Sequence, residues 1–495
     1  MTLEWICIII YSTSLVMILF YAIAQLNLLF NYLSARKKKD SGPTYDLNDP
    51  DQIPYVTIQL PVFNEAYVME RLLDNIALID YPREKLEIQV LDDSTDDTVI
   101  TTREHVERLA ATGLDMVHIT RENRIGFKAG ALKEGLVDAK GEFIAIFDAD
   151  FLPDPDWLKK TVIYFRDPEI GVVQTRWAHL NREYSILTQI QAFALDAHFT
   201  LEQVGRNSQG HFINFNGTAG IWRKETIIDA GNWEGDTLTE DLDLSYRAQL
   251  KNWKFKYLED VTTPAELPIV ISAARSQQFR WNKGGAENFR KMFKRVISSN
   301  LSFKTKMHGV LHLLNSTMFL NVLIVGLLSI PMLYIKNEYA HLRLYFIVMS
   351  FFVTSTIIFF ICYWYMYKNT YGGGLKNFIS YIGMFFTFFS IAMGFSLHNS
   401  IAVIEGHIGK RSEFVRTPKF NLAAVGGNWK TNKYLKKKLS PNVIIEGILM
   451  LYFAFGMYSA FIVGDQGGDF GLFPFHLMLF IGFGFVFFRS ITDKQ

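Results

Sequence analysis

Long apolar runs bracket a central stretch in which apolar and polar positions alternate with two different periods. From Leu3 to Leu33 no Lys or Arg interrupts the apolar residues, and Arg36-Lys37-Lys38-Lys39 follows directly. A signal peptide carries its charge before a shorter apolar run. The pattern therefore predicts a retained membrane helix over 1–33, with its start outside and its basic end in the cytoplasm. Past Asn300, apolar segments return at about 310–335, 342–366, 376–405, 441–463 and 470–488. Lys410 to Lys438 carries nine Lys or Arg against one acid and belongs in the cytoplasm, whereas the acidic Asp465 to Asp469 loop belongs outside. Both placements hold only if one later segment fails to cross. We expect 372–405 to be re-entrant or interfacial, followed by a cytoplasmic loop over 406–440, which leaves five spans. Ser396, His398 and Asn399 inside that segment suit burial against protein rather than lipid.

Between these runs, residues 34–54 form a polar linker rich in Pro and Asp, and 55–300 read as a mixed globular domain. Strands are predicted at Tyr55 to Leu60, Leu86 to Leu91, Met116 to Ile119 and Phe143 to Phe147. Helices are predicted over 66–80, 95–112 and 128–139. This alternation implies an α/β fold, a mostly parallel sheet with helices on both faces, inserted between transmembrane helices. In such sheets ligands bind beyond the carboxyl ends of the strands.

Composition adds little to that division. The chain is 49% hydrophobic with 42 Phe and a net charge of +1. Its basic residues sit in short runs beside apolar segments, as membrane flanks do, which removes the case for a nucleic-acid partner. Cys7 and Cys362 both lie in apolar stretches and exclude a disulfide framework or a Cys-based zinc site.

The candidate chemistry falls at the predicted strand ends. Glu65, Asp92 and Asp93 follow the first two strands, where carboxylates accept hydrogen bonds from a base or ribose; ordinary helix caps are the alternative. Gly126-Phe127-Lys128-Ala129-Gly130 opens a helix whose amides, with Lys128, suit a diphosphate; a plain glycine loop is the alternative. The strand Phe143 to Phe147 runs into Asp148-Ala149-Asp150, a pair of carboxylates fit to hold Mg²⁺ or Mn²⁺, though the same pattern arises by chance on surfaces. Thr239-Glu240-Asp241 offers a general base, or alternatively a capped helix start. In Gln277-Gln278-Phe279-Arg280-Trp281, Arg280 suits a departing diphosphate and Trp281 a sugar face; an interfacial helix is the alternative.

The order DDS, DAD, TED and QxxRW on one α/β domain resembles the processive members of glycosyltransferase family 2, and among them the cellulose synthase-like group that makes mannan, glucomannan and xyloglucan backbones, with its bacterial relatives. QVLDDSTDDT (89–98), GFKAGALKEGL (126–136), AIFDADFLPDPDWL (145–158), NFNGTAGIWR (214–223) and RSQQFRW (275–281) carry the likeness. The resemblance implies a GT-A type nucleotide-sugar-binding domain. It implies nucleotide contacts from Glu65, Asp92 and Asp93, and diphosphate and metal contacts from Asp148 and Asp150. Asp241 becomes the catalytic base, oriented by Thr239 and Glu240. Gln277 and Arg280, assisted by Lys128, hold the leaving diphosphate, and Trp281 receives the acceptor near Phe215, Asn216, Gly217 and Thr218. Phe414 to Lys419 is similar to the FxVTxK gating loop, with Arg416 at the Val position; a basic loop at lipid headgroups is the alternative reading.

The implied activity is inverting, processive polymerisation of a β-linked glucan, mannan or glucomannan from UDP-glucose or GDP-mannose. The implied protein is multi-pass with a cytoplasmic catalytic domain, in the cell inner membrane if the source is bacterial. A transferase adding one sugar to a lipid acceptor is the nearest rival. A transporter with a regulatory nucleotide-binding domain is a rival of another class. Trp364, Tyr363 and Tyr367 are expected in an interfacial belt, with lining of a sugar path as the alternative. Glu446 and His398 stand out by the cost of their apolar surroundings.

Overall fold

The computed structural model describes residues 2–37, 42–412, 414–421, 432–434, 440–464 and 467–493. Lys38, Lys39, much of the basic 410–438 segment and part of the acidic loop lie outside the described residues.

Among the described residues, seven strands form one sheet in the order β3-β2-β1-β4-β6-β5-β7. They are β1 (Val56–Val62), β2 (Leu86–Asp92), β3 (Asp115–Thr120), β4 (Phe143–Ile146), β5 (Ile170–His179), β6 (Gly220–Arg223) and β7 (Lys254–Ala265). The four strands read from the sequence are β1 to β4, all parallel, with Val62 opposite Asp92 and Val56 opposite Phe143. β6 runs antiparallel to both β4 and β5, and β7 returns parallel to β5.

Side-chain alternation along β4 fixes it from both faces. Phe143, Ala145 and Phe147 pack with Ile58, Leu72, Val90 and Trp157 in one layer, whereas Ile144 and Ile146 pack with Leu132, Leu136, Trp222 and Leu244 in the other. Burial of each such side chain contributes roughly 1.5–3 kcal/mol, so the strand that leads into Asp148 is held firmly. Buried polar residues of β1 and β2 satisfy one another across the ladder: Thr57 donates to Glu87 at 2.6 Å, and Gln59 to Gln89 at 3.0 Å.

Among the described residues, six helices are long and apolar enough to cross a membrane: Leu3–Ala35, Thr317–Glu338, Ala340–Tyr371, Leu375–Gly394, Asn442–Ile462 and Phe473–Thr492. At one end of the bundle the Tyr339 hydroxyl donates to Glu4, and Lys336 pairs with Asp469 at 2.6 Å. At the other end the bundle meets the α/β domain, where Tyr32 donates to Glu259 at 2.9 Å and Tyr371 to Asp196 at 3.3 Å. The 372–405 segment is two helices, Leu375–Gly394 and Ser396–Ile408, which meet at Phe395. Gly394 packs backbone to backbone against Gly482, midway along Phe473–Thr492. The first helix follows Tyr371, and the second pairs Glu405 with Lys283 at 3.2 Å, so both outer ends lie beside the α/β domain.

Candidate active site

The carboxyl ends of β1, β2 and β4 open into two adjoining cavities of about 110 and 140 Å³. Lys128, Asp148, Arg280, Phe414 and Lys419 line both. Beyond β1, Asn64 takes a left-handed conformation (φ 54°) and turns the chain so that Glu65 faces the first cavity. Burial pushes the Glu65 carboxyl up to about 7, against the opposing charge of Arg416, which pairs with it at 2.5 Å.

The two aspartates after β2 divide. Asp93 lines the first cavity and receives Arg121 through both carboxylate oxygens. Asp92 lines neither cavity: it accepts from Ser94 N at 2.8 Å and pairs with His118 of β3 at 2.9 Å, which fastens the turn. The Phe127–Asp138 helix starts after Gly126 at φ 74°, and places Lys128 Nζ 2.5 Å from Asp148 Oδ1 and 2.7 Å from the Gly217 carbonyl.

Asp148 N donates to the Thr218 hydroxyl at 2.9 Å. Asp150 is buried, and burial raises its carboxyl above the ordinary range. Its Oδ1 pairs with Lys419 Nζ at 2.7 Å, and its Oδ2 accepts from Glu266 N at 3.3 Å. Two carboxylates at one strand end form a set of hard oxygen donors of the kind that suits a divalent cation. Glu234, Asp236 and Asp243 form a separate acidic group, already gathered around Lys291 Nζ at 2.7, 2.8 and 2.9 Å.

The second cavity is walled by Thr239, Glu240 and Asp241, by Asn216 and Gly217, and by Gln277, Arg280 and Trp281. The helix-cap reading of Thr239 fails, because its side chain caps nothing in Glu240–Leu250. Its hydroxyl instead receives Asn288 Nδ2 at 2.9 Å, from the Ile271–Ser298 helix that carries QxxRW. That helix comes so near at Gly284 that any side chain there would strike Thr239. Gly217, at φ 76°, lies against Asp241: a Cβ built on it would stand 3.2 Å from Asp241 Oδ2 and 3.6 Å from Lys128 Nζ. Burial, then the neighbouring Glu240 carboxylate, push Asp241 up to about 7. Burial lowers Arg280 to about 10, opposed by Asp148 and Glu240, so it stays charged at neutral pH.

The expected acceptor residues are brought together in part. Asn216 and Gly217 reach the cavity, whereas Phe215 is buried in the core beside Trp222, and Thr218 supports Asp148 from below. Trp177 of β5 stands 6.5 Å from Trp281 and extends the aromatic wall. Trp177 and Asn288 were missed from the sequence because no local motif surrounds either.

Phe414 to Lys419 crosses both cavities. Arg280 donates to the Val415 carbonyl and to Thr417 Oγ1, and Phe414 stacks on Phe127 with ring centres 5.8 Å apart. Farther out, Glu446 is spent on an ion pair with Arg275, and His398 Nε2 meets the Arg275 carbonyl at 3.1 Å. Tyr363, Trp364 and Tyr367 pack with Phe193 and Tyr381 between helices.

Residues 54–284 match a family model described as glycosyltransferase like family 2. This part of the chain is similar to the glycosyltransferase domains of that family. The chain is 43% identical over 263 residues to glucomannan 4-beta-mannosyltransferase 1 of Oryza sativa subsp. japonica, covering 52% of this chain and 50% of that one. It is 42% identical over 272 residues to glucomannan 4-beta-mannosyltransferase 2 of Arabidopsis thaliana, covering 53% and 51%. The chain thus spans about half the length of the curated relatives it matches. The mannosyltransferase PcManGT from Pyrobaculum calidifontis, solved with GDP-Man and Mn²⁺, superposes with a TM-score of 0.52 at 22% identity. That match covers 80% of this chain and 100% of that one, and it shows the GT-A fold. With six long apolar helices flanking its glycosyltransferase domain, the protein is an integral membrane protein.

Proposed function

We propose that the chain is an inverting, processive β-mannosyltransferase that takes GDP-mannose at the cytoplasmic face of a membrane and extends a β-linked mannan or glucomannan. One observation carries the reading. Asp241, Lys128, Asp148 and Arg280 converge on a single cavity whose far wall is Trp281. The mannosyl choice follows the names of the relatives that match the domain.

In this reading Asp241 takes the proton from the acceptor hydroxyl as that oxygen attacks the anomeric carbon. The bond from that carbon to the diphosphate oxygen breaks on the opposite face, so an α-linked donor gives a β-linked product. Lys128 and Arg280 neutralise the charge that develops on the leaving diphosphate. Asp148 and Asp150 would hold Mg²⁺ or Mn²⁺, which supplies a further positive charge to the diphosphate oxygens. Trp281, backed by Trp177, orients the terminal sugar of the acceptor. A buried base raised to about 7 matches the protonation it must undergo at neutral pH.

The bundle follows from the same proposal. Leu375–Gly394 and Ser396–Ile408 re-enter rather than cross, since both outer ends meet the domain and their junction packs midway along a spanning helix. Five spans then remain, with the domain cytoplasmic. Asp241→Asn should lower turnover about 10²- to 10⁴-fold while GDP still binds. Turnover near that of the unaltered chain would remove Asp241 from the role. A ladder of products, as against one short product, separates polymerisation from single-sugar transfer.

A further inference from the structure

The first cavity has a part that the second does not reach, walled by Phe63 after β1, Asp93 after β2 and Arg124 in the turn before the Phe127–Asp138 helix. Lys128, Asp148 and Arg280 line the part common to both cavities. A nucleotide whose diphosphate meets those three groups turns its base toward Phe63 and Arg124.

The two arginines of that turn differ in what they have left to give. Arg121, 5% exposed, is fully used: it donates to both carboxylate oxygens of Asp93 and to the carbonyls of Ile125 and Phe127. These bonds fix a strained turn, in which Gly126 and Phe127 both take left-handed backbone at φ 74° and 49°. The Arg124 side chain is 25% exposed. Its guanidinium carbon lies 3.2 Å from the Phe63 ring centre and 5.2 Å from that of Phe127. Nε is buried and faces Asp93 Oδ2 at 3.7 Å. The two terminal nitrogens retain accessible surface and, among the described residues, make no hydrogen bond. The rings therefore hold the fork while its outer donors stay accessible at the cavity wall.

A planar fork with free donors is the complement of a ring edge that carries two adjacent acceptors. Guanine has that edge in O6 and N7. Uracil offers only O4 there, whereas adenine and cytosine set an amino donor against the fork.

We propose that Arg124 selects a guanine nucleotide, its terminal nitrogens donating to O6 and N7 of the base. This rests on the reading of the chain as a GDP-mannose transferase, and it names the residue that decides between GDP-mannose and UDP-glucose. The test is titration calorimetry of the full chain in detergent with Mn²⁺, comparing GDP, UDP and 7-deaza-GDP, which lacks the N7 acceptor. The parent chain should bind GDP about tenfold more tightly than either of the others. Arg124→Met keeps the apolar stem and removes the donors. It should weaken GDP about tenfold, bring it level with 7-deaza-GDP and leave UDP nearly unchanged. Arg124→Lys should restore part of the preference, and it keeps the test open if Arg124→Met fails to fold, which thermal unfolding would report. Two results would overturn the role of Arg124 while a GDP preference in the parent chain still upholds the mannosyl reading. One is 7-deaza-GDP bound as tightly as GDP by the parent chain; the other is GDP and UDP weakened alike by Arg124→Met, as a purely structural or electrostatic role requires. Tighter binding of UDP than of GDP by the parent chain would overturn both.

Discussion

Asp241 shares its cavity with Glu240, Lys128 and the backbone of Gly217, and these neighbours set what the carboxylate does. Its raised pKa has a definite sign. A base must be deprotonated to act, so kcat/KM should fall about tenfold per pH unit below about 7 and level off above it. A profile flat down to pH 5 would mean that another group is the base. Gly217→Ala should be damaging twice over, through a left-handed backbone that costs an L-residue about 1–2 kcal/mol and through contact with Asp241. Asn288→Ala removes the hydrogen bond that orients Thr239 without touching either cavity. It should lower kcat about tenfold and leave the KM for donor unchanged; a rise in KM alone would argue against a positioning role. At this scale the sequence was legible wherever chemistry clusters in a motif. DAD, TED and QxxRW all reach the cavity. Asp92 and Asp93 share a motif and were not separable, because pairing with His118 across β3 turns only one of them inward. Asn288 carries no signal until the Ile271–Ser298 helix is laid against Thr239.

Among the elements, the Phe414 to Lys419 segment changes the site most. With it in place the cavities measure only about 110 and 140 Å³, below the roughly 300 Å³ at which ligand pockets begin. Its Lys419 and Arg416 occupy Asp150 and Glu65, the carboxylates proposed for metal and nucleotide. Lys419→Gln should therefore lower the Mn²⁺ concentration that gives half-maximal binding, read by titration calorimetry. An unchanged or higher value would show that Lys419 does not compete for Asp150. The sequence showed the likeness to a gating loop but not which acids it meets, since those contacts join residues more than 250 positions apart. The strands show a similar limit. β1, β2 and β4 are buried on both faces and β3, at the sheet edge, shares their regular alternation with helices, whereas β6 has only four residues and begins with Gly220, and β7 alternates lysines and acids with its buried positions.

At the scale of the whole molecule, the Ile271–Ser298 helix joins cleft to membrane. Arg275, six residues before Trp281, pairs with buried Glu446 of Asn442–Ile462. Glu446→Ala leaves the guanidinium buried and unpaired, so it should destabilise the protein by about 3–5 kcal/mol and lower its melting temperature in detergent. A melting curve matching the parent chain would mean that the pair contributes nothing measurable. The division into membrane and α/β parts was plain from hydropathy and charge placement. The break at Phe395 was not, because an apolar hairpin and an apolar span have the same composition until Gly394 is seen against Gly482.

The most direct measurement of the central claim is release of nucleoside diphosphate by the purified chain in detergent with Mn²⁺, comparing GDP-mannose with UDP-glucose. Release from GDP-mannose, a mannanase-sensitive product ladder, loss of both with chelator, and loss of both in Asp241→Asn are expected. Release unaffected by Asp241→Asn, or release from UDP-glucose alone, would contradict it.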